Sequence, residues 1–147
     1  MELIHEELTE QIIGCAIAVH DKLGPCLPEH AYQTAIALEM KAQGLTFLRE
    51  PELVVKYRDV VVGLHKPDFI VEGKVVLELK CVQRLEEVFR IQVLRYLHLT
   101  KLRVGLIINF NVAFLKKWRY KARRSLTNKI NNLRALQKLH ASVSRGL

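Results

Sequence analysis

Apolar positions at the start of the chain recur at helical spacing. Leu8, Ile12, Ala16 and Val19 form one stripe, with Glu10 and Asp21 at outward positions, which predicts a helix over residues 8–23. Gly24-Pro25 ends it, because proline cannot continue a helix. Pro28 suits the first turn of a second helix over residues 28–43, closed by Gly44, with Glu29, Tyr32 and Ile36 on one stripe. From Leu53 the pattern becomes extended. Residues 53–57 read as a strand and Arg58-Asp59 as a hairpin tip; Val60, Val61 and Val62 begin the return, which Asp68-Phe69-Ile70-Val71 continues. Glu72-Gly73 is a turn and residues 74–81 a third strand, so the three together predict an antiparallel meander. Helical spacing returns over residues 85–99 through Leu85, Val88, Phe89, Gln92, Tyr96 and Leu99. Residues 103–110 form another buried strand.

The order α, α, β, β, β, α, β predicts a small α/β domain with a mixed sheet over residues 1–114. Beyond it, Leu126, Ile130, Leu133, Leu136, Leu139 and Val143 predict a last helix, so residues 115–147 read as a basic helical extension. The length of 147 residues, half of them hydrophobic, is enough for one packed core. No run reaches the roughly 18 uncharged apolar residues of a membrane helix. The acidic start, with Glu2, Glu6 and Glu7, is unlike a signal peptide. Cys15, Cys26 and Cys81 are odd in number and far apart, which fits neither a disulfide framework nor a zinc pair. Together these predict a cytoplasmic protein. Charge is strongly divided: all 15 carboxylates lie within residues 1–87, while residues 88–147 carry 14 Lys or Arg and no acid. Such a basic half attracts polyanions.

The stretch richest in chemistry is Lys66-Pro67-Asp68 followed by Glu78-Leu79-Lys80. Side chains alternate along a strand, so Val76, Glu78 and Lys80 face one way while Val75, Leu77, Leu79 and Cys81 face the other. A hairpin brings Asp68 beside Glu78. Two carboxylates and an ammonium on an apolar sheet are costly to bury unless compensated, and a hard divalent cation compensates them. The rival is a surface Glu–Lys pair of little energetic weight. Glu29, in the first turn of its helix, either complements the helix dipole or serves a site. Gln92 interrupts an apolar stripe and requires hydrogen-bond partners. The six histidines lack metal-ligand spacing, and there is no P-loop or serine-nucleophile motif.

The Asp68 … Glu78-Leu79-Lys80 pattern, with proline before the aspartate, resembles the PD-(D/E)XK nuclease superfamily. Further matches resemble its small bacterial GxxExxY proteins: Ile13-Gly14, Val19-His20, Leu23-Gly24-Pro25, Glu29-His30-Ala31-Tyr32 and residues 105–111, together spanning residues 4–114. One position departs: Cys26 stands where that motif opens with glycine. The resemblance implies a restriction-endonuclease-like fold and a Mg²⁺-dependent nuclease, with Mn²⁺ as the alternative ion. Asp68, Glu78 and the Leu79 carbonyl would bind metal, and Glu29 would complete the site directly or through water. Lys80 would assist the attacking water, and Tyr32 would pack or orient Glu29. Gln92 and Tyr96 resemble the Gln-x-x-x-Tyr motif of the branch that includes lambda exonuclease and RecB, in which the glutamine supports the site. Cleavage would leave a 5′-phosphate and a 3′-hydroxyl.

The basic run Lys116, Lys117, Trp118, Arg119, Tyr120, Lys121, Arg123 and Arg124 interleaves cations with aromatics, as a nucleic-acid contact requires. The following apolar stripe suits packing on the core or a second copy, so a homo-oligomer is an alternative role for the tail. The competing function is a non-catalytic nucleic-acid-binding or assembly protein that keeps the fold. DNA and RNA stay open as substrates.

Overall fold

The computed structural model describes residues 4–111 and the backbone of residues 116–121. Helices α1 (Glu6–Leu23) and α2 (Glu29–Ala42) precede the short strand β1 (Phe47–Arg49). Strands β2 (Leu53–Tyr57) and β3 (Val60–His65) are joined by Arg58 and Asp59, both at positive φ as a tight two-residue hairpin requires. After Pro67 come β4 (Phe69–Val71), β5 (Val75–Lys80), α3 (Glu87–Thr100), β6 (Val104–Asn109) and β7 (Lys116–Lys121). Among the described residues, no helix is long and apolar enough to cross a membrane.

A five-stranded mixed sheet, ordered β1-β4-β5-β6-β7, carries the fold. β4 runs antiparallel to β1 and β5, β5 and β6 are parallel through the α3 crossover, and β7 returns antiparallel to β6. One face packs on α1 and α2 through Val75, Leu77, Leu79, Ile12, Tyr32 and Ile36. The other packs on α3 through Val76, Ile107, Val93, Tyr96 and Leu97. The alternation expected along β5 is therefore present.

Three features differ from the sequence expectation. The meander is broken: residues 60–71 do not form one return strand, because Lys66-Pro67 interrupts them and proline lacks the N–H a ladder needs. β2 and β3 instead make a separate two-stranded sheet, leaving Val54, Val60, Val61, Val62 and Leu64 exposed. Strand β1 is a three-residue element that gave no periodic signal. Lys116–Lys121, expected in a helical extension, is strand β7 of the sheet. Trp118 and Tyr120 alternate with Lys117, Arg119 and Lys121 at the period of a strand, a signal outweighed in the sequence by the charge of the run. Arg123, Arg124 and the helix expected from Leu126 lie outside the described residues.

Gly105 on β6 permits the close approach of α3, since a Cβ there would stand 2.4 Å from Val93 Cγ1. Valine in a helix has little rotamer freedom with which to yield. Gly105→Ala is expected to destabilise the domain by about 2 kcal/mol and lower its melting temperature by about 5 °C, as read by circular dichroism. An unchanged melt would mean that the helix shifts freely over the sheet.

Candidate active site

Asp68 closes the turn before β4, and Glu78 and Lys80 occupy the carboxyl end of β5. The backbone N–H of Asp68 donates to Glu78 Oε1 at 2.8 Å, and the Leu79 N–H donates to Asp68 Oδ2 at 2.7 Å. These reciprocal bonds place both carboxylates side by side. Glu78 is buried at 3 % exposure, which excludes the surface-pair reading. Lys80 Nζ reaches Glu78 Oε2 at 3.4 Å and lies 4.9 Å from the centroid of the Phe89 ring. The Leu79 carbonyl leaves the strand on the edge from which its N–H meets Asp68.

Burial dominates the electrostatics. Desolvation, then the charge of Asp68, pushes the Glu78 carboxyl up to about 7, against the pull of Lys80. Asp68 is also raised, chiefly by desolvation, although the Leu79 N–H and Lys80 favour its charged form. Glu29 opens α2 and is raised by desolvation and by Asp68, while Lys80 and a bond from the Cys81 backbone oppose the shift. Three carboxyls and one ammonium thus form one electrostatic unit.

Gln92 and Tyr96 project from α3 toward the same unit. Gln92 Nε2 donates to Tyr96 Oη at 2.9 Å. Gln92 Oε1 is buried without a partner, an orphan acceptor on the wall it shares with Lys80. The Tyr96 hydroxyl is pushed up to about 12 by desolvation and by Glu78. Tyr32 has a packing role: fully buried, it stacks on Phe110 at 4.4 Å, donates to the Gly24 carbonyl and accepts from the Leu27 N–H at 3.2 Å. It thereby holds the loop that delivers Glu29. In that loop Cys26 adopts φ 71°, a left-handed conformation that costs a non-glycine residue about 1 kcal/mol. Its thiol contacts Asn111 Oδ1 at 3.4 Å. Cys81 is partly buried with its thiol pushed up to about 11 by desolvation, an inert neighbour at neutral pH.

Two supporting residues escaped the sequence reading. Gln33, 4 % exposed, donates to Asp68 Oδ1 at 2.9 Å and accepts from Arg49 Nη2 at 2.8 Å. Its place four residues after Glu29, on the same helix face, was the available signal. Asn109, also 4 % exposed, clamps Val82 through its N–H and carbonyl at 3.1 and 2.7 Å. With the bond from Phe110 N to the Lys80 carbonyl at 2.9 Å, this fixes the end of β5 that carries the charged pair.

The donor set suits a hard cation. Among the described residues no three Asp, Glu, His or Cys side chains converge on one point, but Mg²⁺ takes one or two carboxylates and keeps several waters. The Asp68–Glu78 pair, whose burial disfavours two bare charges, fits that requirement. Glu29, engaged by the Cys81 backbone, matches the water-mediated option.

The sequence profile of the PD-(D/E)XK nuclease superfamily matches residues 6–121. The chain belongs to this superfamily. The match takes in β7, so the superfamily region includes Lys116, Lys117, Trp118, Arg119, Tyr120 and Lys121. Among solved structures, the chain is similar to the crystal structure of an alkaline exonuclease (LHK-Exo) from Laribacter hongkongensis, with a TM-score of 0.49 and 11 % identity, over 92 % of this chain and 94 % of that one. No curated protein matches.

Proposed function

We propose that the chain is a divalent-metal-dependent nuclease, with Mg²⁺ or Mn²⁺ as the ion and DNA or RNA as the substrate. The observation that carries this reading is the buried Asp68–Glu78 pair, held by reciprocal backbone bonds beside Lys80 at the end of β5. Asp68, Glu78 and the Leu79 carbonyl would hold the ion, with Glu29 engaging it through water. When bound, the ion activates water and polarises the phosphodiester. Lys80 offsets negative charge developing at phosphorus. The orphan Gln92 Oε1 accepts a hydrogen bond from the attacking water or from the Lys80 ammonium and so orients it. A water oxygen bonds to phosphorus as the bond to the 3′-oxygen breaks. That oxygen takes a proton, leaving a 3′-hydroxyl and a 5′-phosphate.

Within the superfamily the chain groups with the GxxExxY proteins on this reading. Supporting it, Glu29 and Tyr32 follow a loop in which Cys26 has the positive φ that glycine adopts freely. The free thiols of Cys15, Cys26 and Cys81 suit the cytosol. The basic run Lys116, Lys117, Arg119, Lys121, Arg123 and Arg124, with Trp118 and Tyr120, would contact the nucleic acid.

Incubation with labelled single- and double-stranded DNA and RNA is expected to give cleavage with Mg²⁺ or Mn²⁺ and none with EDTA. Nucleic-acid binding without cleavage under every metal condition would overturn the enzyme in favour of a binding protein on the same fold.

A further inference from the structure

A cleft of about 350 Å³ opens between the end of the β2–β3 hairpin and α3, against the site's outer wall. Its polar lining is His65, Lys80, Gln92 and Arg95, and no carboxylate lines it. Val88 and Ile91, 56 % and 49 % exposed, supply apolar sides. Among the described residues, no ion pair engages Arg95 or His65. Elsewhere on α3, Arg90 is paired with Glu87 at 2.9 Å. The hairpin holds His65 in place by pairing it with Leu53, which packs on the α3 core, and its ring lies 6.2 Å from that of Tyr96.

We propose that this cleft seats one nucleotide of the strand being cut, adjacent to the scissile phosphate. Arg95 and His65 hold its phosphate, and Val88 and Ile91 contact its sugar and base. The inference rests on the nuclease reading and extends it to substrate positioning. Lys80 belongs to both places, so a phosphate held by Arg95 and His65 lies one step along the strand from a phosphate attacked beside Lys80. A planar guanidinium and an imidazole N–H are suited to phosphate oxygens. The volume lies at the lower end of the range for small-ligand sites, about 300–1,000 Å³. That scale admits a nucleotide.

The anion is either an internal phosphodiester or a terminal phosphate, and oligonucleotides distinguish them. Single linkages near the cut are replaced in turn by uncharged methylphosphonate, and 5′-phosphorylated ends are compared with 5′-hydroxyl ends. For the wild-type protein, one such neutralisation is expected to lower kcat/KM about tenfold, the scale of one charge-assisted hydrogen bond. Arg95→Gln should raise KM about tenfold with little change in kcat, and should be insensitive to that same neutralisation. The two losses are one interaction and do not add. Arg95→Lys should recover part of the affinity. Fully additive losses, or an unchanged KM in Arg95→Gln, would overturn the assignment.

Equilibrium binding by non-cleaving Asp68→Asn protein separates this inference from the nuclease reading. There Arg95→Gln should flatten the dependence of log affinity on log salt by about 0.7 for a single strand. Cleavage combined with an unchanged slope refutes the cleft alone. Absence of both cleavage and binding refutes the cleft together with the nuclease reading.

Discussion

Asp68→Asn and Glu78→Gln are each expected to lower cleavage by at least about a thousandfold while the protein stays folded. The amide variants keep an oxygen that can accept from the Leu79 and Asp68 N–H groups, whose bonds at 2.7 and 2.8 Å hold the turn together. Alanine would strand those buried donors at a cost of about 1–3 kcal/mol each and confuse lost chemistry with lost fold. Each amide also removes one of two raised carboxyls that repel when ionised. At pH 8 without metal, relief of that repulsion should offset the bond that Asp68 loses from Gln33 and the pairing that Glu78 loses with Lys80, so the variants should stay folded and melt near wild type. They should also lose the rise in melting temperature that Mg²⁺ is expected to give the wild type on the proposed reading, since ligand stabilisation disappears with affinity. Nuclease assay and thermal shift in parallel test the pair. Undiminished cleavage by Glu78→Gln would remove Glu78 from the metal site.

Those residues were legible because a strand's alternation is local. Val76, Glu78 and Lys80 had to share a face whichever neighbours β5 acquired. A tight turn had to return Asp68 near Glu78. The helices were legible for the same reason, as their apolar stripes complete several turns. β1 has three residues and needs only the pairing offered by β4. The hairpin was legible as a hairpin, but its separation from the main sheet depends on the missing N–H of one proline. β7 is the next strand after β6 and pairs with it antiparallel, but its aromatic positions Trp118 and Tyr120 alternate with cations, so the charge of the run suggested a nucleic-acid contact rather than a strand. Gln33 and Asn109 were hidden because a buried amide is defined by what it bonds. Neither Arg49, which donates to Gln33, nor the Val82 backbone clamped by Asn109 is adjacent in the chain.

On the proposed metal reading, the desolvated carboxyls should make metal binding and apo stability run in opposite directions with pH. Glu78 moves from an ordinary value of 4.5 to about 7 on folding, and Asp68 and Glu29 move in the same direction. The folded apo protein therefore holds protons that the unfolded chain has released. The stability from Glu78 is fully present below about 4.5, falls as pH rises and is lost above about 7, and Asp68 and Glu29 add in the same direction. The Glu78 contribution is on the order of 3 kcal/mol, with the pull of Lys80 already included in the shift. A cation requires the deprotonated pair and competes with those protons. At a fixed subsaturating Mg²⁺ concentration, affinity should climb up to about tenfold per pH unit from pH 5 to 7 and level off above it, with cleavage following. The apo melting temperature should decline over the same window while the Mg²⁺-induced increment grows. Glu78→Gln should flatten most of the apo decline, because the amide does not titrate. An apo melting temperature that rises from pH 5 to 7, or Mg²⁺ affinity independent of pH across that window, would show that the pair enters the folded state already ionised, with Lys80 and the backbone N–H groups outweighing burial.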